Sequence, residues 1–241
     1  MISSDFRQEA RRKLQGKWGK GALIILAYFL ITLVIGFVEG LFPESMASIL
    51  SITVTVIEVP IAFGLIIAFV KLYNNEEVKA FDFLNLGFSN FKKSWGLAFR
   101  TALKMIVPII LIIVSYVLIG MGIVSTAGSV ITGSSSGFGA IGIIGILLLI
   151  FSLIWATTKS FYYSLSYFVA IDNPEMSSTE AVEKSAELMK GKRWKLFCLQ
   201  FSFIGWAILS IFTLGIGILW LAPYMQFATI SFYKNAIENA N

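Results

Sequence analysis

The sequence predicts an all-α polytopic membrane protein, with six transmembrane helices, inner-face amphipathic helices and a grouping into three hairpin units. Three observations carry that prediction. The 241 residues are 57% hydrophobic and 14% charged, against about 25% charged in a soluble domain, and several apolar runs exceed the roughly 18 residues that cross a bilayer. All Lys and Arg residues fall on one side of a six-span threading. A layout of short amphipathic helix, basic tryptophan turn and long apolar run occurs three times.

Residues 1–20 open the first unit. Phe6, Ala10 and Leu14 recur four apart on one helical face. Gly16 ends that helix, and Lys17, Trp18 and Lys20 form the basic turn. The apolar run over 21–42 is too long for the h-region of a signal peptide, and no A-x-A pattern follows it. It is predicted as an uncleaved first span. A short turn over 43–48 leads to the second span at 49–70.

The second unit begins in the polar segment that follows. Phe81, Leu84, Phe88, Phe91 and Trp95 step by three and four, which predicts one apolar helix side lying in the membrane plane. Lys92, Lys93 and Trp95 mark the interface. The third span covers 103–124, with Lys104 long enough to snorkel. Residues 125–139 form a Gly/Ser-rich linker. The apolar stretch that follows is too long for one untilted span. A fourth span at 140–158 puts Lys159 at the inner face and leaves Phe161, Tyr162, Tyr163, Tyr167 and Phe168 to an aromatic interfacial helix. Sliding it to 151–171 would carry Lys159 toward mid-membrane at substantial cost.

Asp172, Asn173 and Pro174 break the chain before the third unit. Ser177 and Glu180 have the S-x-x-E spacing of a capping box. Val182, Ser185, Ala186 and Met189 then share one helical face, and Gly191 ends the helix. Lys192, Arg193, Trp194 and Lys195 suit a headgroup layer, where cations meet phosphate and indole straddles water and hydrocarbon. The fifth span covers 196–213, a tight turn 214–217 and the sixth span 218–233.

The charges fix an expected orientation. Six cations precede the first span, five lie between the second and third with Lys104 at the start of the third, Lys159 and Lys234 add one each, and five precede the fifth span; these are all 19 in the chain. The positive-inside rule therefore places both termini in the cytoplasm of a plasma membrane. The net charge of +5 is accordingly a signature of anionic inner-leaflet lipid rather than of nucleic acid. With no histidine and Cys198 as the only cysteine, an intramolecular disulfide or thiolate metal cluster is excluded. Neither cofactor nor metal is expected. The threefold layout has two readings: true repetition, or convergence on the basic aromatic anchors that any membrane hairpin needs.

Two carboxylates interrupt the spans. Glu39 is expected at the outer end of the first, reaching water. Glu58 lies inside the second, two residues before Pro60, and is expected to be a buried, largely neutral acid in a pocket that the proline opens. It would then either handle a proton or cation, or hydrogen-bond to a neighbouring helix. Gly36 with Gly40, Gly64 with Ala68, and the series Gly139, Gly142 and Gly145 are candidate points of close helix approach. Pro108 and Pro223 are candidate kinks. General-base options shrink to carboxylates, lysines and tyrosines without histidine, and no HExxH or Walker loop occurs. An enzyme is not expected.

The last third, SAELMKGKRWKLFCLQFSFIGWAILSIFTLGIGILWLAPYMQFATISFY, together with the basic start EARRKLQGKW, resembles a family of integral membrane proteins of Gram-positive bacteria that is described only as a domain of unknown function. It is more distantly similar to the membrane region of some bacterial glycerophosphodiester phosphodiesterases, whose soluble catalytic domain has no counterpart here. The resemblance implies a six-helix membrane protein with no catalytic residues to carry over. The expected function is a non-enzymatic helper or regulatory module for another membrane process, in contact with inner-leaflet lipid and with a membrane-protein partner. The alternative is a small proton-coupled transporter or lipid-handling protein using Glu58.

Overall fold

The structure is a computed structural model that describes residues 2–132 and 139–239. It is helical throughout the described residues. Helix α1 covers Ser3–Leu14, α2 Trp18–Gly40 and, after a single 3-10 turn, α3 Ala47–Tyr73. Helices α4 (Asp82–Ser89), α5 (Phe91–Thr132), α6 (Ala140–Tyr163) and α7 (Ser166–Asp172) follow. The chain closes with α8 (Ser178–Leu188), α9 (Arg193–Phe201), α10 (Ile204–Phe212) and α11 (Ile218–Glu238).

Among the described residues five stretches are long and apolar enough to cross a membrane: Trp18–Gly40, Ala47–Tyr73, Phe91–Gly128, Ala140–Asp172 and Arg193–Phe212. The predicted sixth span is not among them. It lies in α11, which is 21 residues long but carries Gln226, Thr229, Ser231, Lys234 and Asn235. Much of α11 is buried by protein, from Pro223 and Tyr224 to Tyr233 and Ala236.

Several predicted boundaries move. Helix α5 has 42 residues, about 63 Å at 1.5 Å per residue and twice the ~30 Å hydrocarbon core. It continues through the first eight positions of the predicted linker; 133–138 lie outside the described residues. The single fourth-span helix runs on to Tyr163, past the predicted end at 158. The predicted aromatic helix is interrupted at Ser164–Leu165, because Ser185 of α8 replaces the missing helical partners there. Its Oγ accepts from the Leu165 N–H at 3.2 Å and donates to the Tyr162 carbonyl at 2.9 Å. The fifth span is likewise two helices, α9 and α10, separated at Ser202–Phe203.

The core sits at the end of the molecule that holds the chain termini. Buried there are Phe6, Ala10 and Leu14 of α1, the start of α2, α3 from Pro60 onward, and one face of α11 from Pro223 to Ala236. The far halves of α2 and α3 and most of α5 and α6 present exposed Leu, Ile, Val and Phe, as lipid-facing surface would. Helices α3, α7 and α11 meet through aromatic rings. Phe63 lies 5.6 Å from Tyr167, Tyr73 lies 5.3 Å from Phe227, and Phe168 stacks on Tyr233 at 5.5 Å. The Tyr73 and Ser231 hydroxyls share a hydrogen bond of 3.2 Å.

Three short helices pack around this centre: α1 on α11, α4 on α3, and α8 on α7. The α4 contact corrects an expectation. Residues 81–95 are not one helix but α4 and the start of α5, parted at Asn90, and α4 runs back along α3, antiparallel. A Cβ on Gly64 would fall 1.9 Å from the Phe83 carbonyl oxygen, and one on Gly87 only 2.1 Å from that of Pro60. The packed face is therefore Phe83 and Gly87, while Phe81, Phe88 and Phe91 are exposed. Both faces of α4 carry phenylalanine, so spacing alone does not distinguish the buried one.

Candidate functional site: the basic turns

Each turn begins where a short helix stops. Gly16 and Gly191 take φ of +74° and +72°, the left-handed conformation that costs glycine little, and Asn90 ends α4 between them in the chain. The capping box at the start of α8 is formed. The Ser177 N–H donates to Glu180 Oε2 at 2.9 Å, and the Glu180 N–H donates to Ser177 Oγ at 3.2 Å. Hydrogen bonding from Ser177, its backbone N–H first and its hydroxyl second, to the charged form holds the Glu180 carboxyl below its usual range.

Each turn holds a lysine bonded to a carbonyl at or near the end of a helix. Lys17 Nζ donates to the Leu72 carbonyl at 2.7 Å, at the end of α3. Lys93 Nζ donates to the Asn173 carbonyl at 3.2 Å and to that of Pro174, just beyond α7. Lys192 Nζ donates to the Ala236 carbonyl at 2.8 Å, near the end of α11. The last carbonyls of a helix lack intrahelical donors and carry the negative end of its dipole, so a cation satisfies both needs. Burial lowers the Lys17 pKa, with smaller contributions from Lys13 and Lys20. These three lysines are turned into the protein.

The tryptophans differ. Trp18 packs beside Tyr224, ring centres 6.0 Å apart. Trp95 donates its indole N–H to the Val56 carbonyl at 3.3 Å. Pro60 explains that bond: it has no N–H to return to the residue four earlier, which is Val56. Trp194 is 72% exposed and stacks on Phe197 at 5.1 Å. Arg193 lies over the Tyr162 ring at 4.2 Å, while Lys92 and Lys195 are exposed.

Glu58 is placed otherwise than expected. It is exposed, not buried, and the carbonyl freed by Pro60 is held by Trp95 and not by this carboxyl. The reason is its helix face, since α4 covers the opposite side of α3 at Gly64. The Tyr28 phenol of α2 lies within electrostatic range of it. Glu39 sits half-buried in the last turn of α2. Among the described residues the structure brings neither carboxylate to a second one. A Cβ on Gly36 or Gly40 would meet nothing within 4 Å, whereas one on Gly145 would meet the Ile119 backbone of α5 at 2.8 Å.

A sequence signal underlies the alignment of the turns. Phe69, Val70, Asn74, Glu76, Lys93, Trp95 and Leu97 recur, in one ungapped register, as Phe168, Val169, Asn173, Glu175, Lys192, Trp194 and Leu196. The buried Phe6, Ala10 and Leu14, with Gly16 and Lys17, keep the spacing of the buried Ala181, Ser185 and Met189, with Gly191 and Lys192. Both registers pass through the capping lysines.

A sequence-family model described as "Protein of unknown function (DUF975)" matches residues 1–240. No curated protein matches the chain, and no solved structure does.

Proposed function

The chain belongs to the DUF975 family of proteins of unknown function, and from that premise we propose a non-enzymatic helper or regulatory module of a bacterial plasma membrane. In this reading three hairpin units, α2 with α3, α5 with α6–α7 and α9–α10 with α11, give six spans with both termini in the cytoplasm. Each turn lysine caps the return helix of its own unit. Each short helix packs on the return helix of the unit before it, and α1 on α11 closes the series into a ring. That cyclic order favours repetition over convergence. The short amphipathic helices are then the mortar of the ring, and lipid or partner contacts fall to the residues they leave outside.

One observation carries the choice of a helper over a transporter. Where the three return helices meet, the space is filled by Phe63, Phe69, Tyr73, Phe168, Phe227 and Tyr233, all buried, and Glu58 lies outside it. The long α5–α6 arm, packed mainly on itself and exposing Ile110, Ile113, Val117, Ile143, Leu147 and Ile150, is the surface proposed for a membrane partner.

The test compares Glu58→Gln and Glu58→Leu with a deletion strain. Both variants are expected to accumulate normally and to restore the wild-type phenotype, since an exposed carboxyl with no second acid has no structural or proton-handling role here. Loss of function in both, at unchanged abundance, would support proton or cation handling. Retention of one membrane partner by the wild-type protein, lost on substituting Ile113 and Ile143 by serine, supports the helper role.

A further inference from the structure

We infer that the cleft between α6 and the turn preceding α9 is a binding site for one anionic glycerophospholipid, its phosphate on Lys159 and Arg193 and an acyl chain along α6. The inference rests on the reading above that this end of the protein faces the cytoplasmic leaflet. A cavity of about 550 Å³ opens between the two helices, lined on its apolar side by Leu153, Ile154, Phe161, Trp194 and Phe197. A second, of about 420 Å³, adjoins it and contains Lys159, Tyr162 and Tyr163. Thr158 and Arg193 line both, so the cationic chamber and the apolar one meet at these two residues.

The charge arrangement identifies the occupant. No Asp or Glu lines either cavity, and neither Lys159 nor Arg193 has an ion-pair partner among the described residues. Arg193 is held in place by the face of Tyr162, which leaves its planar fork of donors free for a phosphate. Two unpaired cations at the mouth of an apolar groove match a molecule with an anionic head and a hydrocarbon tail. The ring supplies an internal contrast. A cleft of about 450 Å³ beside Trp18, Trp206 and Trp220 has one cation, Arg11, where the α6 cleft has two, and the Nε of that cation already donates to the Tyr224 hydroxyl at 2.9 Å.

The probe is phosphatidylglycerol added to the full-length protein in a neutral detergent, with retention read by native mass spectrometry. Phosphatidylcholine and glycerol 3-phosphate serve as comparison ligands. One phosphatidylglycerol is expected to be retained far better than phosphatidylcholine. Each cation near an anionic lipid is worth a factor of about five, so Lys159→Gln with Arg193→Gln should weaken retention roughly thirtyfold. Ile154→Trp, which fills the groove and keeps both cations, should weaken phosphatidylglycerol but leave glycerol 3-phosphate unchanged. Lys159→Gln alone guards against misfolding of the Arg193 variant and should give the fivefold loss at unchanged melting temperature. Equal retention of phosphatidylcholine, or of phosphatidylglycerol by the double variant, overturns the site. Glycerol 3-phosphate binding as tightly as phosphatidylglycerol, insensitive to Ile154→Trp, overturns the lipid as occupant. Cysteine labelling of the termini tests the orientation separately, so a failed site and a failed orientation give different results.

Discussion

Gly64→Ala is expected to cost the protein about 3 kcal/mol, the upper end of the usual penalty for inserting a methyl group into a packed interior. The reason is what the methyl group meets. It would lie 1.9 Å from the Phe83 carbonyl oxygen and 2.6 Å from the Gly87 nitrogen, both backbone atoms that can move only if α4 leaves α3. Gly87→Ala drives its methyl into the Pro60 oxygen from the other side and should behave alike. Displacing α4 would also pull Trp95 from the Val56 carbonyl, leaving that acceptor unpaired. Gly36→Ala and Gly40→Ala, where the added atom meets nothing within 4 Å, should leave stability the same or slightly higher, since alanine favours a helix over glycine. Retention of the monodisperse peak after graded heating in detergent measures all four. Equal melting of Gly64→Ala and Gly36→Ala would refute the close crossing.

Lys17→Met, Lys93→Met and Lys192→Met are each expected to destabilise by about 1–2 kcal/mol, the range for a cation bonded at a partly buried helix C-terminus. Methionine keeps the length of the apolar stem and removes only the donor. The comparison with Lys92→Met and Lys195→Met isolates the cap, because those neighbours are exposed and substitutions at such positions seldom exceed 0.5 kcal/mol. Three similar losses in the same heating assay are the result expected of equivalent units. A loss confined to one lysine would leave the ring without its repeat.

Much of the secondary structure was legible in the sequence, because its signals are local. Run length and hydropathy locate α2, α3, α5 and α6, the Ser177–Glu180 pair marks the start of α8, and Gly16 and Gly191 mark the ends of short helices. What escaped depends on tertiary contacts. Ser164–Leu165 is a break only because Ser185 supplies the hydrogen bonds there, and nothing near residue 164 announces it. Depth along α3 predicts a buried Glu58, whereas its exposure follows from the face that α4 covers. The capping role of Lys17, Lys93 and Lys192 was hidden for a related reason. A basic turn beside tryptophan has the same composition whether its lysine meets a lipid phosphate or a helix carbonyl.

The ring requires α11 to return across the membrane, although its polar side chains keep it below the hydropathy of the other five stretches. Leu214, 95% exposed in the turn between α10 and α11, and Asn239, at the end of α11, should therefore lie on opposite sides. Single cysteines at the two positions, in a Cys198→Ser background, test this with a membrane-impermeant thiol reagent applied to intact cells. The expected result is labelling of Leu214→Cys from outside and of Asn239→Cys only after permeabilisation. Labelling of both from the same side would contradict the account.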